Sequence, residues 1–256
     1  MTTTWRHDWQ GSPEAAGASC LSTPARRAQA PGFGAAGPPP VTVAASCLPS
    51  DRAGGASGDW HDVIPLPSGD VAVAVGDAAG RGVQASPLKD TLQGGLRRMA
   101  LTGAPPLELL AHLREVMGSD REAFATFVYA VVEPDRGDVL VTNAGHPPPL
   151  LVGRDRQARF LTESLDPPLG APRPGSAPAL GRAHMQAGDT LVLYTDGVVE
   201  SRSRDIGEGL GSLAAAAMRW ADSSLDDLCA RLLSLGLGDE NEHPDDLTVI
   251  ALRLRG

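Results

Sequence analysis

From Val41 onward the chain is written as short apolar runs closed by turn residues, and that pattern restricts it to a few architectures. Val41–Leu48 is the first run. Residues 60–66 and 71–76 flank Pro67-Ser68-Gly69-Asp70, where each residue favours a turn for its own backbone reason. Two such runs around such a turn predict a β-hairpin. With the turn centred between Ser68 and Gly69, Asp59 faces Ala78 and Asp77 faces Trp60. Phe124–Glu133 reads as a strand, Pro134-Asp135-Arg136-Gly137 turns it, and residues 138–143 return. Residues 149–152, 190–195 and 247–254 supply the remaining strands, while 166–182, rich in Pro and Gly, read as a loop. Leu88, Leu92, Leu96 and Met99 fall on one helical face, with Pro87 in or before the first turn. Leu107, Leu110, Leu113 and Met117 mark a second helix. Two more are expected near 212–220 and 225–235, the latter opening on a Ser224 cap. Short antiparallel strands with helices inserted in pairs predict an α+β chain, not a parallel βαβ sheet.

Composition narrows the function classes. Hydrophobic residues at 42% and charged residues at 21% allow a sizeable core, and 256 residues allow one or two domains. Twenty-two basic against 31 acidic residues give a net charge of −9, so neither nucleic acid nor an anionic membrane is an expected partner. The three cysteines, Cys20, Cys47 and Cys229, form no CxxC pair and suggest neither a disulfide framework nor a zinc knuckle. No secretory h-region and no membrane-length apolar run is present, so a cytoplasmic, reduced, soluble protein is expected. Residues 1–40, nearly half Ala, Gly or Pro, read as a disordered leader to a single folded domain over 41–256.

Most aspartates here suit ordinary turns. Asp59, Asp77, Asp196 and Asp245 do not, because each sits at the end of an apolar strand. The hairpin register makes Asp59 and Asp77 neighbours, and antiparallel pairing of 190–195 with 247–254 would bring Asp196 and Asp245 to one edge. Like charges on adjacent strands repel unless a cation lies between them. Gly58, Gly76 and Gly197 stand beside these acids and would let backbone come close to an ion. An all-oxygen site selects Mg²⁺ or Mn²⁺, and two such ions are a common device for hydrolysing phosphate esters. Spacing alone leaves two readings open, a metal site or four unrelated turn acids.

Five stretches decide between them by resemblance. They are Ser57-Gly58-Asp59-Trp60-His61-Asp62, Val75-Gly76-Asp77-Ala78-Ala79-Gly80-Arg81-Gly82, Asn143-Ala144-Gly145-His146-Pro147-Pro148-Pro149-Leu150, Tyr194-Thr195-Asp196-Gly197-Val198-Val199-Glu200 and Asp245-Asp246-Leu247-Thr248. In order and separation they resemble the SpoIIE-type branch of the PPM (type 2C) metal-dependent serine/threonine protein phosphatases. The resemblance covers about residues 41–255. It implies a PPM-phosphatase-like sandwich of two antiparallel sheets flanked by helices, with two Mn²⁺ or Mg²⁺ ions at one edge. By position, Asp59, Asp77, Asp196 and Asp245 become metal-binding acids, and Ala78 a ligand through its carbonyl. A metal-bridging water would be the nucleophile, so no protein nucleophile is implied. The implied substrate is a phosphorylated protein, in this branch a small anti-sigma-factor antagonist of a partner-switching pathway.

The match has departures. Ser57 replaces the usual first glycine, and His61 stands where Tyr is common; His61 is expected as a surface or packing residue. His146 lies where distant superfamily members place an acid for a third metal, and the 143–149 stretch reads as a turn supporting the site. No arginine identifies itself as the phosphate clamp, with Arg52 and Arg81 the candidates. Because the leader is too poor in core residues to be a sensor domain, either the chain is a stand-alone catalytic domain or its regulator is a separate chain, for which the helical pair near 86–118 is the expected surface. The alternatives are a pseudophosphatase that holds a phosphorylated partner without turnover, and an enzyme for small phosphoesters.

Overall fold

The computed structural model describes residues 3–7, 10–11, 29–30, 40–50, 58–79, 85–118, 123–172, 175, 177–201, 204–237 and 245–255. In chain order the strands begin with β1 (Thr3–His7), β2 (Gln10–Gly11), β3 (Gln29–Ala30), β4 (Val41–Leu48), β5 (Asp59–Pro65) and β6 (Val71–Ala79). Helices α1 (Ala85–Leu101) and α2 (Pro106–Met117) follow, then β7 (Phe124–Glu133), β8 (Asp138–Ala144), β9 (Leu150–Val152), β10 (Ala158–Phe160), β11 (Leu165–Asp166), β12 (Gly181–His184) and β13 (Thr190–Tyr194). Helices α3 (Ile206–Arg219) and α4 (Leu225–Leu233) precede the closing strand β14 (Leu247–Leu254). Thr3–His7, within the expected leader, pairs antiparallel with β4; most of the rest of residues 1–39 lies outside the described residues.

Two sheets form a four-layer sandwich. One has the order β1-β4-β14-β13-β9-β10, the other β11-β8-β7-β6-β5 with β12 also on β8. All of these pairings are antiparallel except β11 with β8. Period-two alternation assigns the layers. Val71, Val73 and Val75 of β6 meet Ile250, Leu252 and Leu254 of β14 between the sheets. The opposite residues of β6, Ala72, Ala74 and Ala78, lie with Leu92, Leu96, Leu109 and Leu113 under α1 and α2. Val249 and Ala251 of β14 pack with Leu213, Leu228 and Leu232 of α3 and α4. Strands buried on both faces read as continuous apolar runs, which is why their periodicity was weak in the sequence.

The hairpin differs from expectation by one residue, and the difference shapes the site. Pro65 pairs with Val71 and Asp59 pairs with Asp77. The loop is odd-numbered: the Leu66 N–H donates to the Asp70 carbonyl at 2.9 Å, the Gly69 N–H to the Leu66 carbonyl at 3.0 Å, and Gly69 takes φ +92°. Such a three-residue loop with a left-handed glycine centres the hairpin on Ser68. Trp60 then faces Gly76, and a Cβ at Gly76 would stand 2.2 Å from the indole, so only glycine leaves the ring its place over the strand.

Candidate metal centre

The corrected register points Asp59 and Asp77 the same way. They lie in line with Val63, Val73 and Val75, and so face the space between the sheets. From the other sheet, Asp196 begins the one-turn helix Asp196–Val198 directly after β13, and Asp245 precedes β14. Strands β13 and β14 pair antiparallel, with Tyr194 opposite Val249, so the two acids emerge at the same end. Gly197 permits their approach: a Cβ there would come within 2.6 Å of the Asp246 carbonyl and 3.3 Å of the Asp245 Cβ. All four predicted carboxylates are thus gathered at one mouth of the sandwich, two from each sheet.

Electrostatics confirm the crowding. Burial, then the Asp77 and Asp246 charges, push the Asp59 carboxyl well above the usual carboxylate range, against hydrogen bonds from Thr195 and Thr248. Burial, then Asp196, Asp245 and Asp246, lift Asp77 to about 7. Asp196 and Asp245 are also raised, first by burial; Glu200 adds to the first and Asp196 to the second. The charges that raise these four acids, Asp77, Asp196, Asp245, Asp246 and Glu200, are carboxylates themselves.

The supporting contacts fix these acids in place. The Thr248 hydroxyl donates to Asp59 Oδ2 at 2.9 Å, and the Thr248 N–H donates to Thr195 Oγ1 at 3.0 Å. Asp246 accepts the Ser50 N–H at 2.7 Å and the Gly58 N–H at 3.1 Å. Sequence reasoning named Thr195, Asp246 and Thr248 only as parts of motifs and gave none of them a role. The Asp-Asp-x-Thr spacing was the available signal. Ala78 is held by its N–H, which donates to the Gly58 carbonyl at 3.1 Å. A Cβ on Gly58 would lie 2.6 Å from the Ala78 carbonyl oxygen and 2.8 Å from Asp77 Oδ1, so these two oxygens flank one small space that glycine keeps open.

Among the described residues, no three His, Cys, Asp or Glu side chains form a ready-made cage for one ion. The donors form two facing pairs instead, a spread suited to hard cations that retain water. His61 is buried, and its carbonyl accepts from Gln93 Nε2 at 3.3 Å. His146 is also buried and has both ring nitrogens engaged, Nδ1 with Thr126 Oγ1 at 2.8 Å and Nε2 with the Tyr194 carbonyl at 3.0 Å, so it offers no lone pair to a metal. Arg52 and Arg81 lie outside the described residues.

The family model described as Stage II sporulation protein E (SpoIIE) matches residues 67–255. The chain belongs to the SpoIIE family. Phosphoserine phosphatase RsbU of Bacillus subtilis (strain 168) is 25% identical to this SpoIIE-family chain over 201 residues, covering 77% of the chain and 59% of RsbU. The structure of the RsbU and RsbW domains of Rv1364c from Mycobacterium tuberculosis superposes with TM-score 0.76 and 29% identity, covering 85% of this chain and 60% of that one. The chain therefore spans less than two thirds of either relative. The catalytic domain of the serine/threonine protein phosphatase PstP, in complex with two manganese ions, shares the fold at TM-score 0.59 and 16% identity, over 84% of this chain and 99% of that one. No described helix of this SpoIIE-family chain is long and apolar enough to cross a membrane.

One consequence for stability is measurable. Without metal, the folded chain holds a proton on Asp77 up to about pH 7, whereas an unfolded aspartate loses it near 3.8. The stabilisation is full below the unfolded value and gone above the folded one. His146, pushed down to about 3 by burial, acts in the opposite sense below its ordinary 6.5 and contributes nothing above it. In chelator, the melting temperature should therefore fall from pH 6.5 to pH 8, and saturating Mn²⁺ should abolish the fall. A melting temperature that rises over that interval in chelator would contradict the crowded-carboxylate description.

Proposed function

We propose that the chain is a Mn²⁺- or Mg²⁺-dependent phosphatase acting on phosphoserine and phosphothreonine in proteins. The observation that carries this reading is the direct opposition of Asp59 and Asp77, facing Asp196 and Asp245 from the second sheet. The residues fit a pair of divalent ions: the donors are all oxygen, which favours Mg²⁺ or Mn²⁺ over zinc, and Gly58 keeps a space beside Asp77 and the Ala78 carbonyl that any Cβ would fill. Asp59, Asp77, Asp196, Asp245 and the Ala78 carbonyl would hold the ions. Bound there, the ions supply a water made nucleophilic near neutral pH and neutralise charge on the phosphoryl group. The chain's own part is positional. Thr248 and Thr195 orient Asp59, Asp246 holds the Ser50 and Gly58 N–H groups, and Gly197 brings the Asp196 and Asp245 loops together.

Relatives named phosphoserine phosphatases support a phosphorylated protein as substrate, and within that reading we propose a small anti-sigma-factor antagonist of a cytoplasmic partner-switching pathway. A separate regulatory chain would act on α1 and α2, because α1 follows the Asp77 strand and is clamped to β5. The competing reading is a phosphoprotein-binding pseudophosphatase, which would keep the same acid cluster without turnover. Phosphate release from a phosphoserine antagonist protein, compared with a panel of phosphorylated metabolites, separates the readings. We expect Mn²⁺-dependent turnover, fastest on the protein. Stoichiometric binding without turnover would favour the competing reading, and faster metabolite hydrolysis would move the assignment to small phosphoesters.

A further inference from the structure

We infer that His146 is a positioning residue that sets the registry of the two sheets at the acid cluster, an inference that rests on the metal-dependent reading above. Its ring spans the two halves of the site. Nδ1 meets Thr126 Oγ1, and Thr126 on β7 pairs directly with Asp77. Nε2 meets the carbonyl of Tyr194 on the other sheet, one residue before Thr195 and two before Asp196. His146 touches none of the four acids, so its action on them is indirect.

The tautomer follows from the partners. A carbonyl can only accept, so Nε2 carries the hydrogen. A neutral imidazole has one N–H, so Nδ1 accepts and the Thr126 hydroxyl donates. Complete burial favours that neutral form. The surrounding turn fixes the ring. Asn143 Oδ1 accepts the His146 N–H and Asn143 Nδ2 donates to the His146 carbonyl, both at 2.9 Å. Gly145 takes φ +68°, and a Cβ there would lie 2.2 Å from Pro168 Cγ. A turn locked on both sides has little freedom to follow if the two sheets slide. Each sheet supplies two of the four acids, so sliding would change the span that two ions would have to bridge.

Two measurements test this. Long-range ¹H–¹⁵N correlation on the full chain should show His146 protonated at Nε2 and neutral down to pH 5. A ring protonated at Nδ1, or one titrating near 6.5, would overturn the assignment. Mn²⁺ titration, read by the EPR signal of the free ion, should then give a dissociation constant at least about tenfold weaker for His146→Leu, the scale typical of outer-shell partners. His146→Gln, which can still present an N–H to Tyr194, should fall between the two, and Thr126→Val should weaken binding by a smaller factor. A His146→Leu variant with wild-type secondary structure and wild-type Mn²⁺ affinity would overturn the inference. Should that variant not fold, unchanged affinity in Thr126→Val would overturn it. A wild type without Mn²⁺ affinity would overturn the metal reading and this inference together, whereas a binding wild type with unaffected variants overturns this inference alone.

Discussion

Asp77→Asn should abolish metal-dependent turnover while making the metal-free protein more stable. Both effects come from one charge. Asp77 sits between its hairpin partner Asp59 and the acids of the second sheet, and its carboxyl is lifted to about 7 chiefly by burial and then by Asp196, Asp245 and Asp246. In the proposed metal site that charge would be a ligand, and losing a ligand that supplies several kcal/mol of transition-state stabilisation costs on the order of 10³-fold or more in rate. Without ions the same charge is repelled, and each tenfold change in proton affinity corresponds to about 1.4 kcal/mol. Asp77 retains some exposure, so solvent screening reduces the gain, and an increase of about 1–3 kcal/mol at pH 8 is expected on removing the charge. Denaturant unfolding in chelator and p-nitrophenyl phosphate hydrolysis in Mn²⁺ read the two effects separately. A variant that lost activity and also lost metal-free stability would show that Asp77 holds the fold through contacts rather than straining it for function.

Arg97→Met should be the most damaging single change away from the acid cluster. Arg97 on α1 donates through Nε and Nη2 to the two oxygens of Asp62 on β5, the second at 2.7 Å, and the Asp62 side chain is wholly buried. Burial raises the Asp62 carboxyl above the usual carboxylate range, against the opposing Arg97 hydrogen bond and charge. Removing the arginine strands a buried carboxylate, which costs about 3–5 kcal/mol. At this chain length that is a drop in melting temperature of about 10 °C. Asp62→Leu combined with Arg97→Met should recover most of the loss, because a buried pair replaced by apolar groups is often close to neutral. A double variant no more stable than the single one would show that the pair's geometry, rather than its uncompensated charge, carries the stability.

Much of this was legible in the sequence, and the failures have identifiable causes. Strand β14, helix α2 and the Ser224 cap of α4 appear as expected, and the Ser224 hydroxyl accepts the Asp227 N–H. Local signals dominate there. Helix α3 begins at Ile206, six residues earlier than the apolar pattern suggested, because Gly207, Gly209 and Gly211 masked its first turns. The Asp205 cap, which accepts the Glu208 N–H, was the signal available. Gly209 is needed there because a Cβ would lie 1.6 Å from the Val199 carbonyl, a packing demand invisible in one dimension. Strand β12 emerged from a Pro/Gly-rich stretch because its pairing with β8 is tertiary. The four acids were found from their positions at strand ends. Thr126 was not, and although the 143–149 turn was read as supporting the site, the His146 bridge between the sheets was not, because both depend on which strands become neighbours. The hairpin slip shows how much can ride on one turn: moving its centre onto Ser68 set Asp59 squarely against Asp77.

The central claim is that these four acids hold two divalent ions that perform the hydrolysis. It is tested most directly by p-nitrophenyl phosphate hydrolysis by the intact chain as a function of Mn²⁺ concentration, after chelator treatment. The account predicts no turnover in chelator and saturable turnover as Mn²⁺ is restored, with close to two ions bound per chain at saturation. Turnover that persists in chelator, or a folded protein that binds no Mn²⁺ at millimolar concentration, would contradict it.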